Sequence, residues 1–416
     1  MNKEKTYQLI VIGSGAAGMM AAIVAAKRGH KVLLLEKLSH LGAKLKATGG
    51  GKCNLTNTLK IETFMEHFGK QGRFMTPALK HFDQNDLRAF FETLGVESHS
   101  PDGFRVFPRT HNAETILTAL KKELEHLGVH ISCNTSADKI LIDDKGILSG
   151  VKTNQADFYA PHIIIATGGL GYSRLGSTGD GYTLAKALGH TNTALYPAMI
   201  PLHTKETWVA ECRADTIPKV RMRIMIKKAK HLRANGDLIF TKKGIRGPVV
   251  LDFAREITPL LEKQTEVPIL INLTQGKNEE QIRHHLKKNA HAFPEHTIMI
   301  QLTSLVPEAL GIQLCHLCDI DSQHTYASLS GKKRDSLIKI LADTPLTVTG
   351  HDGFEKAMIT RGGISLKEVN PDTLESKIVP GLYFCGEVLD LDGPCGGYNL
   401  QWSFASGHLS GHLGKI

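Results

Sequence analysis

No long apolar run occurs in this 416-residue sequence. The N-terminal MNKEKTYQ lacks the hydrophobic stretch of a signal peptide, and the Ala-rich segment after it is broken by glycines and by Lys27 and Arg28. The expectation is a cytoplasmic protein with no membrane span. Cysteine is sparse: the seven residues at 53, 133, 212, 315, 318, 385 and 395 are an odd number scattered over a long chain, which argues against a disulfide framework. Cys315-His-Leu-Cys318 is a lone CxxC. With no second pair nearby it reads as reduced, partly buried thiols, and no metal site is expected. No internal repeat or low-complexity tract is present, so the middle of the chain reads as one insert with a nested helical piece. Acids are scarce in one place. The net charge is +9, and between Lys219 and Arg246 ten Lys or Arg face a single acid, Asp237. That balance favours polyanionic partners.

What the chain does have begins at residue 9. An apolar run, Leu9 to Ile12, leads into Gly13-Ser14-Gly15-Ala16-Ala17-Gly18, then a helix-length segment, a stop at Gly29, a second apolar run (Val32 to Leu35) and Glu36. This is a βαβ dinucleotide fingerprint. Gly13 permits a tight turn, Gly15 lets backbone approach a pyrophosphate, and Gly18 allows helix and strand to pack closely. The helix N-terminus offers N–H groups to the anion, and Glu36 stands where a carboxylate accepts from ribose hydroxyls.

The chain returns to this site twice. Residues 162 to 169, HIIIATGG, run a strand into Thr167-Gly168-Gly169, followed by Gly176-x-x-Gly179-Asp-Gly181 opening a helix; no Gly-Lys-Ser/Thr follows, so this is not a P-loop. Residues 381 to 411 end a short strand at Gly386-Glu387 and open a final helix near Asn399 after Gly396-Gly397. Between the returns, residues 192 to 251 read as strand-rich and basic, with Ile217-Pro218 and Gly236-Asp237 as turn signals, and 252 to 320 as helical. Val220 to Lys227 alternates, which predicts a strand with Arg221, Arg223 and Lys227 on one face and Val220, Met222, Ile224 and Ile226 on the other. A helix over KKRDSLIKILAD and a strand over LTVTG are expected to lead back to the first domain near Pro345.

With these words in place, the chain resembles the BaiN/RdsA family of FAD-dependent oxidoreductases, within the two-dinucleotide-binding-domain flavoproteins. The resemblance spans nearly the whole chain and is most specific in GAKLKATGGGKCNLTN (42 to 57), GDLIFTKKGIRGP (236 to 248), RGGISLKEVNPDTLESK (361 to 377) and GLYFCGEVLDLDGPCGGYNLQ (381 to 401). It departs where the family often has Arg at Lys44 and Lys52, and Thr or another residue at Cys395; lysine keeps the charge and loses the planar fork. The fold implied is α/β: a Rossmann-like FAD-binding domain (1–191 and 345–416), a strand-rich basic insert (192–251 and 321–344) and a helical subdomain (252–320). The resemblance implies FAD held by Gly13 to Gly18, Glu36, Lys37, Lys44, Asn54, Ala137, Thr167, Gly168, Gly386, Glu387 and Gly397, Tyr398, Asn399, Leu400 and Gln401. The helix opening at Gly397 would aim its positive end at the flavin N1–C2=O2 edge, where negative charge develops on reduction. No second GxGxxG with a following acid appears, so NAD(P)H is expected as a transient reductant, or a separate protein supplies electrons.

Three chemistries stay open under the resemblance: saturation of a uracil C5=C6 bond in ribosomal RNA, reduction of an activated alkene in a small enone, and oxidation of a small amine. The first two share hydride transfer from flavin N5 and protonation of the neighbouring carbon. Charge favours ribosomal RNA, with Arg221, Arg223, Lys227, Lys228, Lys242, Lys243 and Arg246 as its contacts, over a small-molecule substrate. Cys53 is the candidate proton donor; its alternative is to pack as a small apolar residue. Tyr398 and His40 are weaker donors.

Overall fold

The computed structural model describes residues 6–144 and 146–416. Two compact units are present, the first running as far as Tyr196 and resuming at Met358–Ile416, the second being Pro197–Ala357.

In the first unit, the apolar runs become a five-stranded parallel sheet in the order Leu382–Phe384, His162–Ile165, Leu9–Ile12, Val32–Leu35, His130–Ser132. Leu9–Ile12, Val32–Leu35 and Leu382–Phe384 are buried at every position, as expected for parallel strands covered on both faces. The helix Ala16–Lys27 follows the first strand, and the terminal helix Tyr398–Gly411 packs on it. Their backbones nearly touch. A Cβ at Gly407 would fall 2.3 Å from the Ala17 carbonyl oxygen, and one at Gly411 2.6 Å from that of Ala21, so two glycines a helical turn apart make the approach sterically allowed. Smaller sheets flank this core: Ala137–Ile142 with Leu148–Thr153 and Asp157–Tyr159, and Thr56–Asn57 with Arg105–Pro108 and Ser98–His99.

The second unit has its own core around a closed antiparallel barrel, ordered Leu202–Thr204, Gly244–Arg246, Arg233–Thr241, Thr216–Ile224, Val267–Asn272, Thr344–His351 and back to the first. Val220, Met222 and Ile224 point inward and are buried, while Arg221 is exposed and Arg223 half-exposed, so the alternation read from sequence holds up to Ile224. Beyond it the expectation fails. The strand stops at Ile224, and Lys227 with Lys228 sits in the short 3₁₀ turn Lys227–Ala229. Two further corrections concern closure. Val267–Asn272, within the stretch read as helical, is a strand, and Thr344–His351, expected to lead back to the first domain, pairs with Val267–Asn272 and Leu202–Thr204 inside the barrel. Around the barrel lie the helices Pro248–Leu261, Glu279–Ala292, Ile298–Leu302, Glu308–Leu317 and Gly331–Ala342. Among the described residues, no helix is long and apolar enough to cross a membrane.

Candidate active site

The glycine turn after the first strand is fixed by its neighbours. Gly13 has φ +102°, and a Cβ there would lie 2.7 Å from the Ala166 carbonyl oxygen; at Gly18 it would lie 1.9 Å from that of Gly13. Gly15 differs from both, because a Cβ on it would meet nothing within 4 Å. Open space therefore stands over the N-terminus of Ala16–Lys27, a helix that begins with no side-chain cap and no acid in its first turn. That is the geometry a pyrophosphate needs.

Glu36 lies beside it. Its Oε2 accepts from the Ser14 hydroxyl and from Ser14 N (3.2 Å), and its Oε1 accepts from Leu38 N (2.9 Å), which fixes the carboxylate and leaves Oε1 one lone pair. The segment after His130–Ser132 docks on the same place, through Thr135 N to Glu36 O (2.9 Å) and Asn134 N to Leu38 O (2.9 Å), and so carries Ala137 to this end of the sheet. Lys37 is spent differently, on Asp180 Oδ2 (2.6 Å) and the Thr178 hydroxyl.

A network absent from any single motif links the other segments. Lys44 Nζ lies 2.6 Å from Glu387 Oε2, and Glu387 Oε1 accepts from Thr360 N (3.0 Å). The Thr360 hydroxyl accepts from Leu170 N (2.7 Å) and Gly171 N (3.2 Å), just past the Thr167-Gly168-Gly169 turn. Gly169 makes room for it: a Cβ there would fall 2.4 Å from Thr360 Oγ1 and 2.7 Å from Glu387 Oε1. Thr360 escaped the sequence reading, although it directly precedes the Arg361-Gly-Gly word. Thr167 Oγ1 is buried without a hydrogen-bond partner and lies against Gly181, where a Cβ would come within 2.2 Å of it.

The loop Thr48–Gly51 and the start of the terminal helix are tied together. Gly49, Gly50, Gly51 and Cys53 all have positive φ, so the loop turns sharply and repeatedly. Asn54 then acts as a bracket, donating from its amide to Thr56 O (3.0 Å) and Val106 O (3.2 Å) and accepting from Gly397 N (3.0 Å). A Cβ at Gly397 would lie 2.4 Å from the Thr56 carbonyl, so only glycine fits. Asn399 holds the preceding turn through Gly393 N (2.8 Å) and Gly393 O (2.9 Å), Gln401 Nε2 donates to Phe82 O (3.0 Å), and Leu400 is half-buried. Gly386, with φ +79°, donates its N–H to the Ser406 hydroxyl (2.9 Å) and accepts from the Trp402 indole (3.2 Å).

The three donor candidates are placed unequally. Cys53 is fully buried in the core, and burial pushes its thiol up to about 12, with a hydrogen bond to Thr48 opposing this in part. Tyr398 is buried with its ring centroid 5.0 Å from that of Phe64 and 4.8 Å from that of His67. His40 is exposed beside Ser39. Elsewhere, His190 places Nε2 2.8 Å from Ser376 Oγ and Nδ1 3.2 Å from Glu368 Oε2, in the order of a hydrolytic triad. Ser376 Oγ also accepts from Ile378 N (3.0 Å) and Val379 N (2.8 Å), so the trio is a buried clamp and not a nucleophile.

The seven basic residues named from sequence do not form one patch. The strands Thr216–Ile224 and Arg233–Thr241 are antiparallel, so Lys227 and Lys228 follow one end, while Lys242, Lys243 and Arg246 lie at the hairpin near the other. Nine residues of strand separate the two ends, about 30 Å at ~3.3 Å per residue. Arg223 Nη2 is ion-paired to Asp343 Oδ2 at 2.6 Å, and Lys243 lies 3.8 Å from Asp352.

Comparison with known proteins agrees with this architecture. The family described as HI0933-like protein Rossmann domain matches residues 7–413. The chain is 32% identical over 403 residues to a 3-dehydro-bile acid delta(4,6)-reductase of Clostridium scindens, covering 96% of this chain and 97% of that one. It is 28% identical over 404 residues to a ribosomal RNA dihydrouridine synthase of Haemophilus influenzae, covering 96% of each. Among solved structures, 3-ketosteroid delta1-dehydrogenase from Sterolibacterium denitrificans superposes with a TM-score of 0.53 at 12% identity over 98% of this chain and 99% of that one, a likeness of fold. The chain therefore belongs to the HI0933-like Rossmann-domain family and is an enzyme of the FAD-dependent oxidoreductase class.

Proposed function

We propose that the protein reduces an activated C=C bond with FAD as its cofactor, and that its substrate is a uridine of ribosomal RNA, converted to dihydrouridine. The observation that carries the cofactor is the open space over Gly15 at an uncapped helix start, next to a fixed Glu36 carboxylate. Bound there and reduced by an external two-electron donor such as NAD(P)H, FAD would provide hydride-transfer chemistry toward an electrophilic alkene carbon. The chain's own part is positioning. The Ala16–Lys27 N-terminus would meet the pyrophosphate, Glu36 would accept from the adenosine ribose, and Glu387, held by Lys44 and Thr360, would face the ribityl chain. Gly397, tied back by Asn54, opens the terminal helix, whose positive end would favour the negative charge that reduction places on a flavin ring held there. Cys53 supports the loop by packing: protein atoms alone cover it completely, so no face of it remains for substrate.

The RNA reading rests on the barrel's exposed arginine face and the net charge of +9, and is supported by the name of the dihydrouridine synthase relative. A small enone is the second reading, supported by the name of the bile acid reductase relative. Mass spectrometry of ribosomal RNA from cells with and without the protein separates them. The expected result is one uridine gaining two hydrogens only when the protein is present; identical RNA, together with rapid reoxidation of the reduced enzyme by a steroid enone, would transfer the assignment to the small molecule.

A further inference from the structure

Reduction of a C=C bond needs a proton for the carbon beside the one that takes the hydride, and the donors named from sequence are poorly placed to give it. Cys53 and Tyr398 are sealed inside the protein, and His40 stands on the surface beside Ser39. Another acid lies in the segment from Glu387 to Gly397, the two points assigned above to the ribityl chain and the reducible ring. Asp390 is half-buried there, whereas Asp392, two residues on, is 3% exposed. The Asp390 backbone is fixed: its N donates to Ile364 O (3.1 Å), and a Cβ on Gly363 would fall 2.8 Å from that nitrogen, so the segment packs directly on Gly363.

The Asp390 side chain is tied to both ends of the site. Its Oδ2 accepts from Gln71 Nε2 (2.7 Å), and Gln71 belongs to the turn Gly69–Met75 next to Phe68, whose ring meets that of Tyr398 edge-on at 6.2 Å. Toward the other end stands the buried Tyr182 hydroxyl. Burial raises it, and the charges of Glu387 and Asp390 both add to this, so the two carboxyls share one neighbour. They are held differently. Glu387 is ion-paired to Lys44, while the hydrogen-bond donors on Asp390, Gln71 and the Thr193 hydroxyl, are neutral. Burial lifts the Asp390 carboxyl above the ordinary aspartate value, with Thr193, Gln71 and the Arg361 charge opposing this in part. A planar substrate laid over its open side would exclude water and raise it further.

We propose that Asp390 is the proton donor of the reduction, its carboxyl delivering a proton to the alkene carbon next to the one that receives hydride, C5 when the substrate is a uracil ring. The hydride brings its own electron pair to one carbon, and the alkene π pair takes up the Asp390 proton at the other. The flavin is thereby oxidised by two electrons, and the carboxylate regains its proton from water. The assignment rests on the C=C reading above and fills the role that reading leaves open, for an RNA or an enone alike.

Asp390→Asn and Asp390→Glu test it. Infrared titration of the wild-type protein should show the C=O band of a protonated carboxyl persisting above the ordinary aspartate value of about 3.9, and Asp390→Asn should lack that band. Both apo-variants should bind FAD with wild-type affinity, and dithionite should reduce them at the wild-type rate. Reoxidation of reduced Asp390→Asn by ribosomal RNA or a steroid enone, whichever reoxidises the wild type, should be about a hundredfold slower or worse, with Asp390→Glu recovering part of the loss. Reoxidation of Asp390→Asn within about tenfold of wild type overturns the assignment. So does a wild-type protein with no such band, or a loss of rate matched by a loss of FAD affinity. A reduced wild-type enzyme that neither alkene reoxidises sinks the C=C reading itself and takes the donor with it.

Discussion

At the scale of single residues, the glycine fingerprint separates into parts with different physical work. Gly13 and Gly18 serve the fold, since backbone oxygens occupy the space a side chain would need, whereas Gly15 alone looks onto open space. Gly15→Val should therefore leave the apo-protein folded and nearly abolish FAD binding. Glu36→Ala removes ribose contacts and also releases Ser14 and Leu38 N, and a charged acceptor is worth about 1.5 to 3 kcal/mol, so FAD affinity should drop roughly ten- to a hundredfold. Titrating the apo-proteins with FAD checks both, and a milder effect in the valine variant would contradict the assignment. Cys53→Ala should lower thermal stability and leave the rate of substrate reduction within about threefold of wild type, because general acid catalysis is ordinarily worth 10²-fold or more. A hundredfold slower reoxidation of reduced enzyme by substrate would restore Cys53 as the proton donor.

At the scale of elements, what was legible in the sequence is what is local. Leu9–Ile12, Val32–Leu35 and His162–Ile165 announce themselves as apolar runs bounded by glycines, and the terminal helix starts at Tyr398, one residue from where the glycine pair predicts. Barrel closure was not legible. Val267–Asn272 carries a strand's alternation, buried at Val267, Ile269 and Ile271, but it is short and lies between helical stretches, so its identity depends on partners distant in sequence. The Lys44–Glu387 pair escaped for the same reason, and so did the dispersal of the basic residues to opposite strand ends. The far end of the terminal helix carries a pH signal. His408 is stacked on Phe82 at 4.4 Å, and burial first, then His412 and His81, lower it to about 4; burial likewise lowers His412, and Arg28 and His81 add to this. Burial favours the neutral form of both in the folded chain. The contribution of His408 to stability is complete above the ordinary histidine value near 6.5 and is lost as pH falls from there toward about 4, and His412 acts in the same direction. Melting temperature should decline over that interval, and His408→Phe should flatten the decline; an unchanged slope would place the acid sensitivity elsewhere.

At the scale of the whole molecule, two separate cores predict two unfolding events. All the residues proposed to hold FAD lie in the unit with the parallel sheet, so calorimetry should show FAD raising one transition and leaving the barrel's in place, by the mass-action stabilisation of whichever unit binds. A single transition that moves as one with FAD would refute independent units. The order of the parallel sheet also bears on how the chain is made. His162–Ile165 has Leu9–Ile12 on one side and Leu382–Phe384 on the other, and the last of these leaves the ribosome only after the whole barrel has been synthesised. At roughly 5 to 20 residues per second that interval is about ten to forty seconds. During translation, then, a fully apolar strand edge and the face of Ala16–Lys27 that the terminal helix will cover stand bare while a complete barrel folds in between. Until Leu382–Phe384 and Tyr398–Gly411 emerge, the parallel sheet keeps an unpaired edge at His162–Ile165, the kind of edge that invites pairing with another chain.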